Sequence, residues 1–430
     1  MSDHSPFVAS RRDFLRTSTA VAGTSLAGLT LARSVHAAGD DTLKVGLIGC
    51  GGRGTGAAKQ ALNADDNVKL TAMGDVFRDH LDSSLANLEK QDDVAGKLDV
   101  AEDHKFTGFD AYQQVLDSDV DVVILTTPPH FRPAHLKAAI DAGKHVFCEK
   151  PVAVDATGVR SVIETCKAAK EKNLSLVSGL CWRYDNGVRE TMQRVADGEI
   201  GDIVAIQENY LAGGLWKHAR RPEWSDMEYQ LRNWLYYTWL SGDHNVEQHV
   251  HSLDKAVWAM GDTPPVRAVG LGGRQARVEP IFGHIFDHHA VVYEWPNGVK
   301  MFAYCRQQDG CTTDVDDYIL GTKGRATVLK NRIEGEKSWK YRGEKNNMYQ
   351  TEHDELFASI RSGNPINNGH YMTVSTMVAI LGRMATYTGK SITWDEAINS
   401  SEDLTPAAGY EWGPLEMPLV AVPGQTQLVV

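Results

Sequence analysis

The chain has 430 residues, and hydrophobic residues make up 42% of them, which is enough to build sizeable buried cores. Asp and Glu outnumber Lys and Arg by 56 to 44, and no basic block is present, so the composition argues against nucleic-acid binding. The six cysteines include no Cys-x-x-Cys pair, so a structural zinc site has no support; Cys305 and Cys311 could pair, but nothing requires it.

The first segment in chain order, residues 1–38, is interpreted as an export signal. Paired arginines at Arg11 and Arg12 precede Phe-Leu, a weakly apolar stretch follows over 17–32, and 35–37 form a small-x-small cleavage site. This pattern predicts export by the twin-arginine machinery to the periplasm or beyond; the alternative is a cytoplasmic leader. The stretch is too short and too rich in Gly and Thr for a stable membrane span, and no other segment reaches a spanning length.

A glycine motif follows the first predicted strand. Val45 to Ile48 leads into Gly49-Cys50-Gly51-Gly52-Arg53-Gly54, and a helix is predicted over 55–62. Strand, Gly-x-Gly-x-x-Gly and helix together are typical of a dinucleotide-binding loop, in which backbone N–H groups face the pyrophosphate. Asp75 ends the next predicted strand, where its carboxylate can bind the ribose hydroxyls of NAD and repel the 2′-phosphate of NADP. The sequence therefore predicts an NAD site, with NADP less favoured.

Strands and helices alternate up to about residue 180. Strands are predicted over 120–126, 144–148 and 174–179, with helices over 131–142 and 157–171. This alternation predicts a doubly wound parallel sheet of the Rossmann type over residues 42–180, with its ligand crevice at the carboxyl ends of the strands.

The pattern changes in the second half of the chain. Five strands are predicted between 203 and 321, two of them joined by a turn at 295–298. Helical periodicity returns at 355–361 and 371–387. We therefore predict a second α/β domain over 181–400 with an open, largely antiparallel sheet, followed by an arm or tail over 401–430.

Several of these segments resemble the Gfo/Idh/MocA family of nicotinamide-dependent sugar oxidoreductases. The matching pieces are the glycine motif, Leu-Thr-Thr-Pro-Pro-His at 125–130, Cys-Glu-Lys-Pro-Val at 148–152, His-Ser-Leu-Asp at 251–254, and the segments 320–324 and 360–365. The resemblance runs from Leu43 to about Asn399. It implies a Rossmann domain, a second domain whose open sheet often forms a dimer face, and hence a homo-oligomer.

The resemblance also implies roles for individual residues. Lys150 would lie beside the nicotinamide and stabilise charge on the substrate oxygen. Glu247 and His251, four residues apart, would share one helix face, with His251 moving the proton and Glu247 orienting it; Glu replaces the family's usual Asp. His244 and His249 are alternative bases. The expected cofactor contacts are Thr127, Pro128, His130, Glu149 and Lys150, together with Gly49, Gly51, Gly52, Arg53, Gly54 and Asp75. The expected substrate contacts are Trp182, Arg183, Tyr184 and His249.

Three functions are compatible with this pattern. The leading hypothesis is an exported oxidoreductase that uses tightly bound NAD for hydride transfer at a secondary alcohol of a sugar, sugar acid or cyclitol, in a cycle that can be redox-neutral overall. The second is an NAD-dependent glycoside hydrolase that works by oxidation, elimination and hydration. The third is a non-catalytic sugar-binding protein on the same fold. A metal site formed by His244, Glu247, His249 and His251 is an alternative interpretation of that segment, but no metal is predicted there.

Overall fold

A parallel six-stranded sheet forms the first half of the protein, as predicted. The structure, a computed structural model, describes residues 41–407 and 409–430. The predicted export signal over 1–38 therefore lies outside the described residues. The strand order β3-β2-β1-β4-β5-β6 is that of a dinucleotide-binding sheet. The strands are β1 (Leu43–Ile48), β2 (Val68–Asp75), β3 (Lys105–Thr107), β4 (Val122–Leu125), β5 (His145–Cys148) and β6 (Leu176–Ser178).

Helices connect these strands and cover the sheet. The two central strands, β1 and β4, are almost entirely buried, as their continuous apolar sequences predict. The helices are α1 (Gly52–Asn63), α2 (Arg78–Glu89), α3 (Ala111–Asp117), α4 (Arg132–Asp141) and α5 (Ala156–Glu171).

A second sheet of nine strands follows, with the order β14-β13-β12-β11-β7-β10-β9-β8-β15. Only β7 and β10 pair in parallel, and the predicted turn at 295–298 joins the antiparallel pair β9 and β10. The sheet is therefore largely antiparallel, as predicted. Its strands are β7 (Ile203–Ala212), β8 (Arg267–Gly273), β9 (His288–Glu294), β10 (Lys300–Gln307), β11 (Asp314–Gly321), β12 (Gly324–Thr327), β13 (Arg332–Gly335), β14 (Trp339–Lys340) and β15 (Ile392–Thr393).

The two faces of this sheet differ in their surroundings. Along β10, every second side chain is buried against helices, whereas the alternate ones are exposed up to Tyr304. The longer helices of this half, α10 (Val250–Ala259) and α12 (Gly369–Thr388), pack on the buried face. Helix α11 (Met348–Ser362) packs against α1 of the first half. The helices are α6 (Asn186–Ala196), α7 (Asp226–Arg232), α8 (Thr238–Ser241), α9 (His244–Glu247), α10 (Val250–Ala259), α11 (Met348–Ser362), α12 (Gly369–Thr388) and α13 (Trp394–Ile398).

Three further features of the described chain bear on the predictions. The predicted boundary near residue 180 falls between β6 and β7, but the described residues cluster into one compact unit, so the domain limits stay a prediction. All six cysteines are free thiols, including Cys305 and Cys311. Among the described residues, no helix has the length and apolarity that crossing a membrane requires.

Candidate active site

The glycine loop lies between β1 and the first turn of α1. Gly49 has a φ of +96°, which a side chain would strain, and a Cβ on Gly54 would lie 1.9 Å from the Gly49 carbonyl oxygen. Gly51 and Gly52 differ from these, because a Cβ on either would meet nothing within 4 Å. The loop thus leaves open space directly before the N-terminus of α1, where backbone N–H groups and the helix dipole favour a pyrophosphate.

A cleft of about 560 Å³ opens in front of this loop. The predicted residues Gly49, Gly51, Gly52, Arg53, Gly54, Asp75, Thr127 and Pro128 all line it. Further walls come from Trp216, Arg232 and Trp234, and from residues that sequence reasoning did not assign to a site: Phe77, His80, Phe109, Tyr112, Phe131, His135 and His218. Because the cleft lies at the carboxyl ends of β1, β2 and β4, its position matches that of a dinucleotide in a doubly wound sheet.

Asp75 lines this cleft at the end of β2, beside the glycine loop. Its Oδ2 accepts a hydrogen bond from the Cys50 N–H at 2.6 Å, and its Oδ1 accepts one from the Phe77 N–H at 2.8 Å. The imidazole of His80 lies 3.6 Å from Oδ1, and this hydrogen-bonding partner raises the pKa of His80 above its ordinary value. The carboxylate therefore fixes the loop, and its remaining lone pairs are placed for a ribose diol.

The arginines near Asp75 are occupied by acidic partners. Arg78 pairs with Asp82 and Glu102 at 2.8 and 2.7 Å. Arg53 donates to Glu149, and it donates to Glu352 at 2.8 Å. Both guanidinium groups are thus bound to carboxylates, as is that of Arg232, which also lines the cleft and pairs with Asp79 and Glu228.

The Arg53 network also connects the glycine loop with distant parts of the chain. Burial would raise the pKa of Glu149, but the charges of Arg53 and Lys150 outweigh it, so that pKa lies below its ordinary value. Burial and the Glu149 charge raise the pKa of Glu352, which lies on α11. Glu149 is therefore an ion-pair partner of the loop and does not line the cleft, contrary to its expected direct cofactor contact.

Lys150 lies at the end of β5 and reaches across to the second half of the chain. Its Nζ donates to the backbone carbonyl of Glu247 at 2.7 Å and to the carboxylate Oε1 of Glu247 at 2.8 Å. Both side chains are only 13% exposed. Glu247 thus orients Lys150, whereas the sequence predicted that it would orient His251.

The segment with Glu247 and His251 is not one continuous helix. The helix α9 ends at Glu247 and α10 begins at Val250, with a turn at Gln248 and His249. The prediction that Glu247 and His251 share one helix face is therefore wrong, because a turn separates the two helices. Burial and the nearby charge of Lys150 lower the pKa of His251 well below its ordinary value. A neutral imidazole beside an ammonium is the protonation state that a general base requires.

The alternative bases have other partners. His249 donates from Nδ1 to Asn245 Oδ1 at 3.0 Å and is fully buried. His244 is buried beside Asp243, with 2.8 Å between its Nδ1 and Asp243 Oδ1. His251 is only half-buried, so it is the best placed of the three histidines to meet a substrate.

Four predicted ligand positions bond to or pack against other residues of the chain. The Arg183 guanidinium bonds to Asp254 and Asp262 and lies 3.9 Å from the centre of the Tyr371 ring, so it is not available to a substrate. Tyr184 is buried and donates to Asn368 Oδ1 at 2.9 Å. His130 is buried away from the cleft lining, where its Nε2 lies 2.8 Å from the Tyr410 hydroxyl. Trp182 packs against the core, with the Lys255 ammonium 5.4 Å from its ring centre.

The C-terminal arm contributes aromatic side chains near the cleft. The Trp412 ring lies 4.9 Å from the Phe109 ring and 5.8 Å from the Phe77 ring, centre to centre. Tyr410 stacks on Phe109 at 5.8 Å. Phe77 and Phe109 both line the cleft, so the arm covers its aromatic wall. Sequence reasoning missed this contact because no local pattern relates residue 412 to residue 109.

The comparisons with known proteins agree with this geometry. Residues 43–177 match the model of an oxidoreductase family described as an NAD-binding Rossmann fold. An inositol 2-dehydrogenase of Serratia proteamaculans is 32% identical over 294 residues, which cover 67% of this chain and 74% of that protein. A 2,7-anhydro-N-acetylneuraminate hydratase of Escherichia coli is 27% identical over 256 residues, and the match covers 60% of this chain and 59% of the relative's length.

A solved structure shows the same fold over most of the chain. The aldose-aldose oxidoreductase of Caulobacter crescentus, crystallised with glycerol, aligns with a TM-score of 0.63 at 19% identity. The alignment covers 82% of this chain and 99% of that structure. At this level of identity the likeness concerns the fold alone.

Proposed function

Because the chain belongs to the Gfo/Idh/MocA oxidoreductase family, we propose that it uses NAD to transfer a hydride at a secondary alcohol of a sugar, sugar acid or cyclitol. The relative named for inositol oxidation supports this substrate class. Such substrates are rich in hydroxyl groups, which the Lys150 ammonium and the His251 imidazole can bind; in this structure neither residue lines the cleft before the glycine loop.

The residues of the cleft fit an NAD molecule. Gly51 and Gly52 leave room for the pyrophosphate, and Asp75 presents a carboxylate for the ribose. When bound, NAD supplies the hydride acceptor at its nicotinamide ring. The occupied guanidinium groups of Arg53 and Arg78 support the choice of NAD over NADP, since neither is free to bind a 2′-phosphate.

Lys150 and His251 divide the proton chemistry at the substrate. The Lys150 ammonium, held by Glu247, stabilises negative charge on the substrate oxygen. The neutral His251 imidazole accepts the hydroxyl proton as the carbonyl forms. The proposal depends on the pairing of the Lys150 ammonium, held by Glu247, with the His251 imidazole, whose pKa is lowered by burial and by the charge of Lys150.

A direct experiment uses the protein with its own bound nucleotide. The nucleotide is released and identified, and the protein is then incubated with a panel of sugars, sugar acids and inositols while reduction of NAD is followed by absorbance. Transfer of deuterium to NADH from a substrate labelled at the carbinol carbon would establish hydride transfer. Binding without any transfer across the panel, including added acceptor sugars, would instead favour the non-catalytic alternative.

A second candidate is a redox-neutral elimination or hydration that uses NAD transiently. The similarity to a protein named as a hydratase favours it, since adding water to a sugar changes no net oxidation state. An NAD-dependent glycoside hydrolase is a variant of this chemistry. Release of chromophore from aryl glycosides without added NAD, with solvent deuterium appearing next to the oxidised carbon, would distinguish this cycle from simple dehydrogenation.

The proposal includes export through the twin-arginine route. Its support is the sequence of residues 1–38, and it explains why the cofactor would be held tightly, because free NAD is scarce outside the cytoplasm. Replacing Arg11 and Arg12 by lysines is expected to leave the protein in the cytoplasm. Normal periplasmic recovery of that variant would contradict the assignment of the signal.

A homo-oligomer is also part of the proposal. Apolar side chains are exposed on the open face of the second sheet, namely Val269, Leu271, Phe302, Tyr304 and Leu320. A contiguous apolar face of this kind favours burial in an interface between copies. Leu271→Glu is expected to lower the mass measured by light scattering, and an unchanged mass would place the interface elsewhere.

A further inference from the structure

A second cluster of potential ligands lies away from the cleft, at the start of α9. Asp243, His244 and His289 are at most 2% exposed, and one ligand atom of each lies within 4.8 Å of the others. Asp243 Oδ1 is 2.8 Å from His244 Nδ1 and 3.2 Å from His289 Nε2. Two imidazole nitrogens and one carboxylate oxygen thus converge in the protein interior.

His289 has a hydrogen-bonding partner at each ring nitrogen. The Thr386 hydroxyl lies 3.1 and 3.0 Å from the carbonyls of Gly382 and Arg383. In one tautomer its oxygen accepts a hydrogen bond from His289 Nδ1 at 2.9 Å, and the Nε2 lone pair is then free for a cation. In the other tautomer His289 Nε2 donates to Asp243 Oδ1 at 3.2 Å.

His244 shows the same arrangement from the opposite side. The Cys305 thiol lies 3.4 Å from Asn245 Oδ1, to which its hydrogen is directed, and 3.5 Å from His244 Nε2. The sulfur then accepts from the Nε2–H of His244. His244 Nδ1 is buried and lacks the alignment of a hydrogen bond with any described residue, although Asp243 Oδ1 is close.

The carboxylate oxygen Oδ1 of Asp243 faces both imidazoles, and a positive charge beside it would balance its own negative charge. Its other oxygen, Oδ2, already accepts from the Tyr387 hydroxyl at 2.5 Å and from the Phe286 N–H at 3.0 Å. The nearby guanidinium of Arg277 donates instead to Gln307 and to the Phe286 carbonyl. A proton on one imidazole would satisfy one contact of Oδ1 and leave the other lone pair facing the carboxylate.

We propose that Asp243, His244 and His289 bind a divalent transition-metal ion, with zinc as the best match. Two imidazoles and one carboxylate form a common zinc ligand set, with metal–ligand distances of about 2.0–2.2 Å. Such distances place the donor atoms about 3.3 Å apart. The Asp243 Oδ1 and His244 Nδ1 atoms, now 2.8 Å apart, would therefore separate by about half an ångström on binding. Thr386, Cys305 and Tyr387 hold the three ligands in orientation, as outer partners of metal ligands do.

The position of this site defines its role. His244 begins the short helix α9 that ends at Glu247, and the Glu247 carboxylate holds Lys150. His289, in contrast, belongs to β9 and Thr386 to α12. A bound ion would tie the segment with Glu247 to the second sheet. These three ligands differ from the set considered in the sequence, which was His244, Glu247, His249 and His251. Glu247 pairs with Lys150, and His289 from β9 takes its place.

The test begins with the unmodified full-length protein, supplied with zinc chloride during growth. We expect one zinc per chain by mass spectrometry of the metals, and an anomalous-scattering peak at the zinc edge between the three side chains. Removal of the ion with a chelator is expected to lower the melting temperature, and zinc alone is expected to restore it. Neither result requires substrate or NAD.

Two variants and a matched control complete the test. His289→Gln and His244→Gln are expected to lose the zinc, whereas His353→Gln, another fully buried histidine, is expected to keep it. If neither ligand variant folds, cobalt replacement in the unmodified protein supplies the readout, as a visible spectrum of tetrahedral character. The proposal is overturned if the protein contains no stoichiometric metal and added zinc leaves its melting temperature unchanged.

Discussion

The Lys150 ammonium donates two hydrogen bonds to Glu247, one to its backbone carbonyl and one to its carboxylate. These bonds hold Lys150, which follows β5, against Glu247, the last residue of α9. They use two of the three ammonium hydrogens and leave one without a partner among the described residues. That hydrogen is the one available to a substrate oxygen.

Substitution of the two proposed catalytic groups should suppress turnover. Loss of a general acid–base group costs about 100- to 10,000-fold in rate, so Lys150→Met and His251→Gln are each expected to lower kcat by about that factor. NAD binding should persist, because neither residue contacts the glycine loop. The controls are Lys137→Met and His370→Gln, both exposed. A near-normal kcat in His251→Gln would transfer the base to another residue.

Enlarging Gly51 should remove the cofactor without unfolding the protein. A Val side chain at this position would project into the open space of the loop, where nothing lies within 4 Å of a Cβ. We expect the purified variant to retain little nucleotide while its circular dichroism stays unchanged. Gly56→Ala, in the helix α1 that follows, is the matched control and should retain NAD. Full nucleotide content in Gly51→Val would show that the pyrophosphate binds elsewhere.

Asp75 should determine the choice between NAD and NADP. Hydrogen bonds to a charged group contribute about 1.5–3 kcal/mol, so Asp75→Ser is expected to weaken NAD binding roughly 10- to 100-fold. Binding of NADP should weaken less, because the same change removes a repulsive charge. The dissociation constants of both nucleotides, measured by calorimetry against Asp103→Asn as an exposed control, provide the test. Equal losses for both nucleotides would contradict this role.

Buried neutral histidines should make the protein sensitive to acid. Burial lowers the pKa of His130 to about 4 and that of His135 to about 3. Their unfolded pKa is about 6.5, so below this pH the unfolded chain binds protons that the folded chain does not. Stability is therefore complete above about pH 6.5 and falls as the pH decreases toward 4, by about 1.4 kcal/mol per pH unit for each such histidine.

Urea denaturation at several pH values measures this dependence. His135→Gln should reduce the slope of stability against pH by about one proton between pH 4 and 6.5, whereas the exposed His370→Gln should leave it unchanged. An unaltered slope in His135→Gln would mean that this histidine is protonated in the folded protein.

The C-terminal arm should slow the release of NAD. Trp412 contacts Phe77 and Phe109, and aromatic pairs contribute about 0.5–1.5 kcal/mol each. Trp412→Ala is therefore expected to raise the rate of NAD dissociation several-fold, as measured by displacement in stopped flow. Leu419→Ala, at a position 93% exposed on the same arm, is the control. An unchanged rate would limit the arm to a structural role.

The amino-acid sequence by itself determined the Rossmann half, the nucleotide loop and the family. These depend on local features: the spacing of Gly49, Gly51 and Gly54, the apolar runs of β1 and β4, and an acid at the end of β2. Neighbouring residues alone define such patterns, so they can be read without knowing which distant segments meet.

Only the tertiary structure decided which charged and polar side chains pair with one another. Arg183 looked like a substrate ligand, but Asp254 and Asp262 are its partners; Glu247 looked like the partner of His251, but it holds Lys150. His289 and Trp412 meet their partners only because the sheets and the arm bring distant segments together. A charged side chain bonds to whichever opposite charge the folded core places beside it, since leaving it unpaired there is costly, and no local pattern records that choice.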